Sequence, residues 1–151
     1  CPVELGSAVF APQGLETIPA NLGGTCKLPF GSVKLVPALH GSGVPGCLSC
    51  GFLIQMGGKK IYHAGDTALI SDMALLADEE IDVALLPIGD VYTMGPADAL
   101  RAVKMIRPKL VIPMHYNTFP LIVQDPHAFA ESVTAAGFRA AVLEPGQTLS
   151  I

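Results

Sequence analysis

The sequence predicts an α/β fold, one mixed sheet with helices on one face. Three observations predict it. Half of the 151 residues are hydrophobic and 15% are charged, which is the balance of a chain that buries a sheet. Residues 33–40, 60–66 and 110–115 are β-prone runs that stop at His40, at the turn presenting Asp66, and at His115. After Asp66 the pattern changes from strand–hairpin–strand to alternating helix and strand, which implies a sheet covered by helices.

The elements follow in order. Residues 3–10 read as a short helix ending before Pro12, residues 15–19 as a short strand, and residues 21–25, with Gly23-Gly24, as a turn. Residues 33–40 are the first clear strand, and Pro37 within it implies an edge or a bulge. A glycine-rich loop follows at 41–46, then a strand at 50–56, a hairpin turn at Gly57-Gly58 and a strand at 59–62. Ser71 or Asp72 starts a short helix through Met73, Leu75 and Leu76, and residues 83–87 are a compact apolar strand. Gly95-Pro96 opens a helix whose face is Ala99, Leu100, Val103 and Ile106, stopped by Pro108. Residues 109–114 form the next strand. Asp125-Pro126 is an N-cap followed by a first-turn proline; Phe129, Val133 and Ala136 line the buried side, and Gly137 stops the helix. A last strand is expected at 139–143, before Pro145-Gly146. No repeat or low-complexity tract interrupts the chain, so 1–151 reads as a single domain.

Composition excludes some functions. The formal net charge is −4 and no Lys/Arg run appears, so nucleic acid is not an expected partner. No apolar run approaches the ~20 residues that span a bilayer. No secretory leader is recognisable, so no membrane association and a cytoplasmic location are expected. The chain opens on Cys1 instead of Met, and its apolar excess points to a processed or partial chain whose surface meets a missing partner. Cys1, Cys26, Cys47 and Cys50 are expected to be free thiols. Cys47-Leu48-Ser49-Cys50 has CxxC spacing, but it follows Gly and Pro and has no second cysteine pair, so it reads as a structural or incidental pair.

His40, Asp66 and His115 carry the chemical argument. Neutral imidazole and carboxylate suit zinc, manganese or iron(II). Three protein ligands and one open position make a catalytic metal site, whose acidified water is a nucleophile for hydrolysis. The alternative is that these histidines are merely hydrogen-bonded at strand ends. His63 reads either as a histidine supporting the pocket or the ligands, or as another hydrogen-bonded strand-end residue. Tyr116 and Asn117 follow His115 and could orient a substrate or its ring, or pack the loop through an Asx-type turn. Asp90, Tyr92 and Thr93 lie where they could line a pocket. His127 reads as solvated, and Asp78, Glu79, Glu80 and Asp82 as a solvated helix end.

Taken together, Leu35-Val36-Pro37-Ala38-Leu39-His40, Lys59-Lys60-Ile61-Tyr62-His63-Ala64-Gly65-Asp66-Thr67, Leu85-Leu86-Pro87-Ile88-Gly89, Thr93-Met94-Gly95-Pro96 and Pro113-Met114-His115-Tyr116-Asn117-Thr118 resemble the metallo-β-lactamase-fold hydrolases. They are most similar to the metal-dependent hydrolase branch near the ascorbate-phosphate lactonase-like members, over nearly the whole chain. The resemblance implies that His40 and His115 are metal ligands and that Asp66 is a carboxylate bridging two metals. It implies a divalent metal cofactor, zinc first and manganese or iron after it. Metal-bound hydroxide would then attack an ester, lactone, amide or phosphodiester of a small-molecule substrate, with Asp66 and His115 the catalytic pair.

One departure qualifies this. The family's His-x-His-x-Asp-His motif is absent, and no two histidines here are separated by one residue. The chain therefore resembles the C-terminal half of a metallo-β-lactamase-type αββα sandwich. The missing half is then the expected partner, or a second copy of this chain in a homodimer. A catalytically incomplete half-domain that self-associates is the alternative function.

Overall fold

The computed structural model describes residues 1–151 and contains one six-stranded sheet with its strands in sequence order. Strands β1 (Thr25–Leu28), β2 (Gly31–Pro37), β3 (Cys50–Met56) and β4 (Lys59–His63) form an antiparallel meander. Strands β5 (Val83–Pro87) and β6 (Leu110–Met114) extend it in parallel from β4. The α/β class and the mixed sheet expected from the sequence are both present.

Local chemistry explains most boundaries. Gly57 and Gly58 both take positive φ, 57° and 75°, which is the requirement of the tight turn joining Met56 to Lys59. Pro37 is the last residue of β2, three beyond its final β1 partner Lys34, so its missing N–H faces no strand on that side. The N-terminal helix α1 (Val3–Leu5) continues as a π turn, Gly6–Phe10, and a 3₁₀ turn, Ala11–Gln13. Helix α2 (Pro96–Ile106) starts on its proline, and Arg107 leaves it in a left-handed conformation. Helix α3 (Pro126–Ala135) is capped by Asp125, whose carboxylate accepts from the N–H groups of His127 and Ala128.

Several expectations are corrected. Residues 15–19 form no strand; Ile18 is exposed, and the nearby pairing is one bridge, Pro2 to Ala20. Residues 139–143 make a single bridge, Val111 to Ala140. Val111 donates to Arg139 O and accepts from Ala141 N–H, but the next rung would need an N–H from Pro113, which has none. The segment read as a turn at 21–25 runs directly into β1, which was not expected. The short helix after Asp66 is a 3₁₀ helix, Ser71–Glu79, which buries Met73 and Leu76 at a spacing of three.

Both long helices and this 3₁₀ helix pack on one face of the sheet. Leu53, Tyr62, Ala84, Leu86 and Val111 meet Met73, Leu76, Val103, Ile106, Phe129 and Val133 there in a continuous core. Within the acidic run, Asp78 and Glu80 are exposed, as expected, while Glu79 and Asp82 are ion-paired. Glu79 Oε2 accepts from Lys60 Nζ at 3.0 Å, and Asp82 Oδ1 from Lys109 Nζ at 2.8 Å, which holds both carboxyls below their usual range.

The opposite face is apolar and lacks a helical layer over most of its width. Register places Leu35, Phe52, His63, Leu85 and Ile112 in one row and Val33, Ile54, Ile61, Val83 and Leu110 in the next. Phe52, Ile54, Ile61, Leu85 and Ile112 are only half-buried. At one end Leu5 and Phe10 share a groove with Phe52. The long helices lie on one face, as expected, whereas the short helical turns at residues 3–10 approach the other.

Candidate metal-binding edge

Strand directions build the site. β2 runs antiparallel to β3, and β3 to β4, so β2 and β4 are parallel to each other and to β5 and β6. All four therefore end at the same edge. The segments that follow them carry His40, Asp66, Asp90 and His115, and ligand sites of α/β sheets lie at such C-terminal edges.

Asp66 and His115 meet. His115 Nε2 lies 3.5 Å from Asp66 Oδ2, with the side chains 30% and 43% exposed. That is longer than the ~2.8 Å of a charge-assisted hydrogen bond. It matches two donors on one tetrahedral cation, which at about 2.1 Å each lie roughly 3.4 Å apart. This imidazole–carboxylate pair thus fits a divalent metal in donor type and spacing. It remains a pair: no three His, Cys, Asp or Glu side chains converge tightly enough to form a metal set.

His40 lines the same open groove as Asp66, about 440 Å³ in volume, together with Ser42, Cys47, Cys50 and Phe52. It lies beyond the end of β2, is exposed, and its Nδ1 bonds with Gly41 O at 2.8 Å. The four cysteines are free and half-buried, and burial raises the Cys50 thiol pKa.

The other candidates support the loops. His63 Nδ1 accepts from Gly65 N–H at 3.1 Å, clamping the turn that presents Asp66 and leaving the ring proton on Nε2. Asn117 donates its N–H to Ile122 O at 2.9 Å, and its side-chain oxygen accepts from Gln124 N–H at 2.8 Å, so it closes the loop after β6. Tyr116 packs against the core, and desolvation raises its pKa. Asp90 is exposed and accepts from Val91 N–H, while Tyr92 stacks obliquely on Phe119, centroids 5.9 Å apart. His127 is exposed, as expected.

Three contributors were not assigned roles from the sequence. Thr67 is fully buried; its Oγ1 accepts from Leu39 N–H at 3.0 Å, and its carbonyl accepts from Met94 N–H at 3.0 Å. It thereby ties the His40 loop and the loop after β5 to the Asp66 turn. Gly51 passes under that turn, where a Cβ would lie 2.8 Å from His63 O. Gly89 is buried against the backbone of His115. A glycine facing a candidate ligand loop is the available signal, but nothing local reveals which loop it will meet.

Two further features make His115 distinctive. It takes φ 55°, unusual for a residue with a Cβ, and its Nδ1 is buried with no partner. Non-glycine residues in left-handed conformations cluster at functional sites.

Fold and edge define a class, and the comparisons agree with it. Residues 3–116 match the family described as the beta-lactamase superfamily domain. The chain belongs to the metallo-β-lactamase-fold family. It is similar to a metal-dependent hydrolase of Thermus thermophilus, 50% identical over 149 residues that cover 95% of this chain and 66% of the relative. A metal-dependent hydrolase of Symbiobacterium thermophilum is 52% identical over 151 residues, covering 97% of this chain and 67% of the relative. Among solved structures, a metallo hydrolase of the archaeon Ignicoccus hospitalis superposes with a TM-score of 0.90 at 41% identity, covering 98% of this chain and 66% of that one. The chain thus spans about two thirds of the length of these relatives. No helix is long and apolar enough to cross a membrane.

Proposed function

We propose that this chain carries the carboxylate–imidazole edge of a metal-dependent hydrolase. The observation that carries the reading is the 3.5 Å approach of His115 Nε2 to Asp66 Oδ2 at the common strand-end edge. Asp66 and His115 would hold the cation, with His40 on the groove wall as the further ligand from this chain. The donor set suits zinc first and manganese or iron(II) after it. When bound, such a cation supplies Lewis acidity and an acidified water. The chain's own residues hold the ligands in place: His63 clamps the Asp66 turn, and Thr67 binds the adjoining loops to it. The substrate class is an ester, lactone, amide or phosphodiester of a small molecule. Tyr92 and Phe119, exposed on loops at the same edge, offer it an apolar surface.

The relatives extend beyond the matched span, and we assign the covering of the open sheet face and the remaining ligands to that extra length. Chelation of the full-length protein should abolish hydrolysis of an activated ester, and Zn²⁺ or Mn²⁺ should restore it. Activity that survives metal removal verified by elemental analysis contradicts the reading.

The open apolar face and the lack of a three-residue metal set favour a second reading, a self-associating half-domain without catalysis. Native mass spectrometry of this chain separates the two. A tight homodimer would bury the faces carrying Phe52 and Ile112, and Phe52→Glu would dissociate it. A stable monomer contradicts the second reading.

A further inference from the structure

Exposed apolar side chains are commonplace singly and informative when they gather. Five gather on two loops at the strand-end edge: Val91 and Tyr92 after β5, and Phe119, Leu121 and Val123 after β6, each between 42% and 66% exposed. Tyr92 meets Phe119 with ring centroids 5.9 Å apart and planes tilted by 49°, so the rings are not stacked face to face. Gln124 Nε2 donates to Gly89 O at 3.4 Å and joins the two loops a second time. Val91 takes φ 52°, an outlier for a β-branched residue, and it is exposed, so burial does not offset that strain. Strained residues of this kind cluster at ligand sites.

The backbone ties these loops to the metal edge. Met94, two residues after Tyr92, donates its N–H at 3.0 Å to the carbonyl of Thr67, the residue after Asp66. Phe119 lies four residues after His115, on the loop that Asn117 closes.

The side chains select what these loops hold. Residues 88–95 and 115–124 contain no Lys or Arg, so they offer a phosphate or carboxylate none of its usual partners. Their carboxylate, Asp90, repels an anion. It is also turned back on its own loop: Oδ1 accepts from Val91 N–H at 2.8 Å, and a Cβ on Gly95 would lie 2.9 Å from its Cγ. Two aromatic rings among aliphatic side chains suit a hydrocarbon group.

We infer that Tyr92 and Phe119 are specificity-determining residues that bind an uncharged aryl or alkyl arm of the substrate. They favour esters, lactones or amides carrying such an arm over phosphodiesters. The inference rests on the hydrolase reading for its reaction, whereas binding of the arm is measurable without turnover.

The full-length, metal-loaded protein is titrated with phenylbutyramide by ligand-detected NMR. Saturable binding is expected, with acetamide at least ~10-fold weaker. Phe119→Ala and Tyr92→Ala should each weaken phenylbutyramide about three- to tenfold, the scale of one aromatic contact. Leu75→Ala, at a remote position 71% exposed, should not. Both rings are half-exposed, so their truncation opens no core cavity; should one variant fail to fold, the other decides. Hydrolysis is then compared for the trifluoroethyl esters of phenylbutyrate and acetate. The ratio of their kcat/KM values should favour phenylbutyrate at least ~10-fold, and both ring variants should lower it. Binding that does not saturate, or that the folded ring variants retain in full, overturns the inference. So does hydrolysis without preference, or a higher kcat/KM for an ester with a trimethylammonium arm than for its tert-butyl isostere. An oligomer that Phe119→Glu dissociates also overturns it, because the loops are then a contact between copies. Binding as expected with neither ester hydrolysed upholds the arm site and refutes the hydrolase reading instead.

Discussion

An Asp66→Asn variant of the full-length protein is expected to lose at least ~100-fold in kcat/KM, with its metal content reduced and its fold unchanged. The substitution keeps shape and one oxygen but removes the charge that a divalent cation needs. Asp66 is half-exposed and its side chain has one polar neighbour, His115 Nε2 at 3.5 Å, so little folding energy is at stake. A stability change within about 0.5 kcal/mol is expected, as for surface positions. That contrast makes the variant informative. Metal affinity and turnover should fall together while the thermal midpoint stays, and added Zn²⁺ should not recover the wild-type rate. Full hydrolase activity in Asp66→Asn would remove Asp66 from the site and with it the case for the edge.

Much of the fold was legible because the signals were local. Gly57-Gly58 predicts its turn from two positive φ values, and Asp125-Pro126 predicts its helix start from one carboxylate and one ring. Apolar runs such as Val83–Pro87 and Cys50–Met56 predict strands with the observed bounds. What failed depended on partners. A strand at 139–143 had the right residues, but Pro113, on the neighbouring strand, ends the pairing after one bridge. β1 carries no local signal, because its four residues, Thr25–Leu28, acquire meaning only against Ser32, Val33 and Lys34. The candidate site divides the same way. Asp66 and His115 announce themselves as strand-end ligand types, and the sheet brings them together. The ties that hold them, such as Thr67 Oγ1 to Leu39 N–H across 28 residues, exist only after the strands have aligned. His63 shows the limit from the other side. Its place beside Asp66 is visible in the sequence, whereas its bond to Gly65 N–H depends on the turn the chain makes there.

The support under His115 yields the second large effect. Gly89 follows β5 and packs beneath the loop after β6, where Ile88 N–H donates to Met114 O at 3.1 Å. A Cβ on Gly89 would fall onto the His115 carbonyl oxygen, 3.0 Å from Ile122 Cβ and 3.3 Å from His115 Nδ1. None of these is the far end of a flexible chain, so the loop itself must move. His115 already holds φ 55° with a buried, unpartnered Nδ1, and small shifts there redirect the ring that approaches Asp66. Gly89→Ala should therefore destabilise the fold by about 1–3 kcal/mol, the usual cost of overpacking. It should also weaken metal affinity by roughly 10- to 100-fold, the loss typical when support behind a ligand is disturbed. Thermal unfolding and metal titration on the same sample separate the two effects. A lowered midpoint with undiminished metal affinity would mean that Gly89 serves packing alone and that His115 finds its geometry from the Asn117-closed loop.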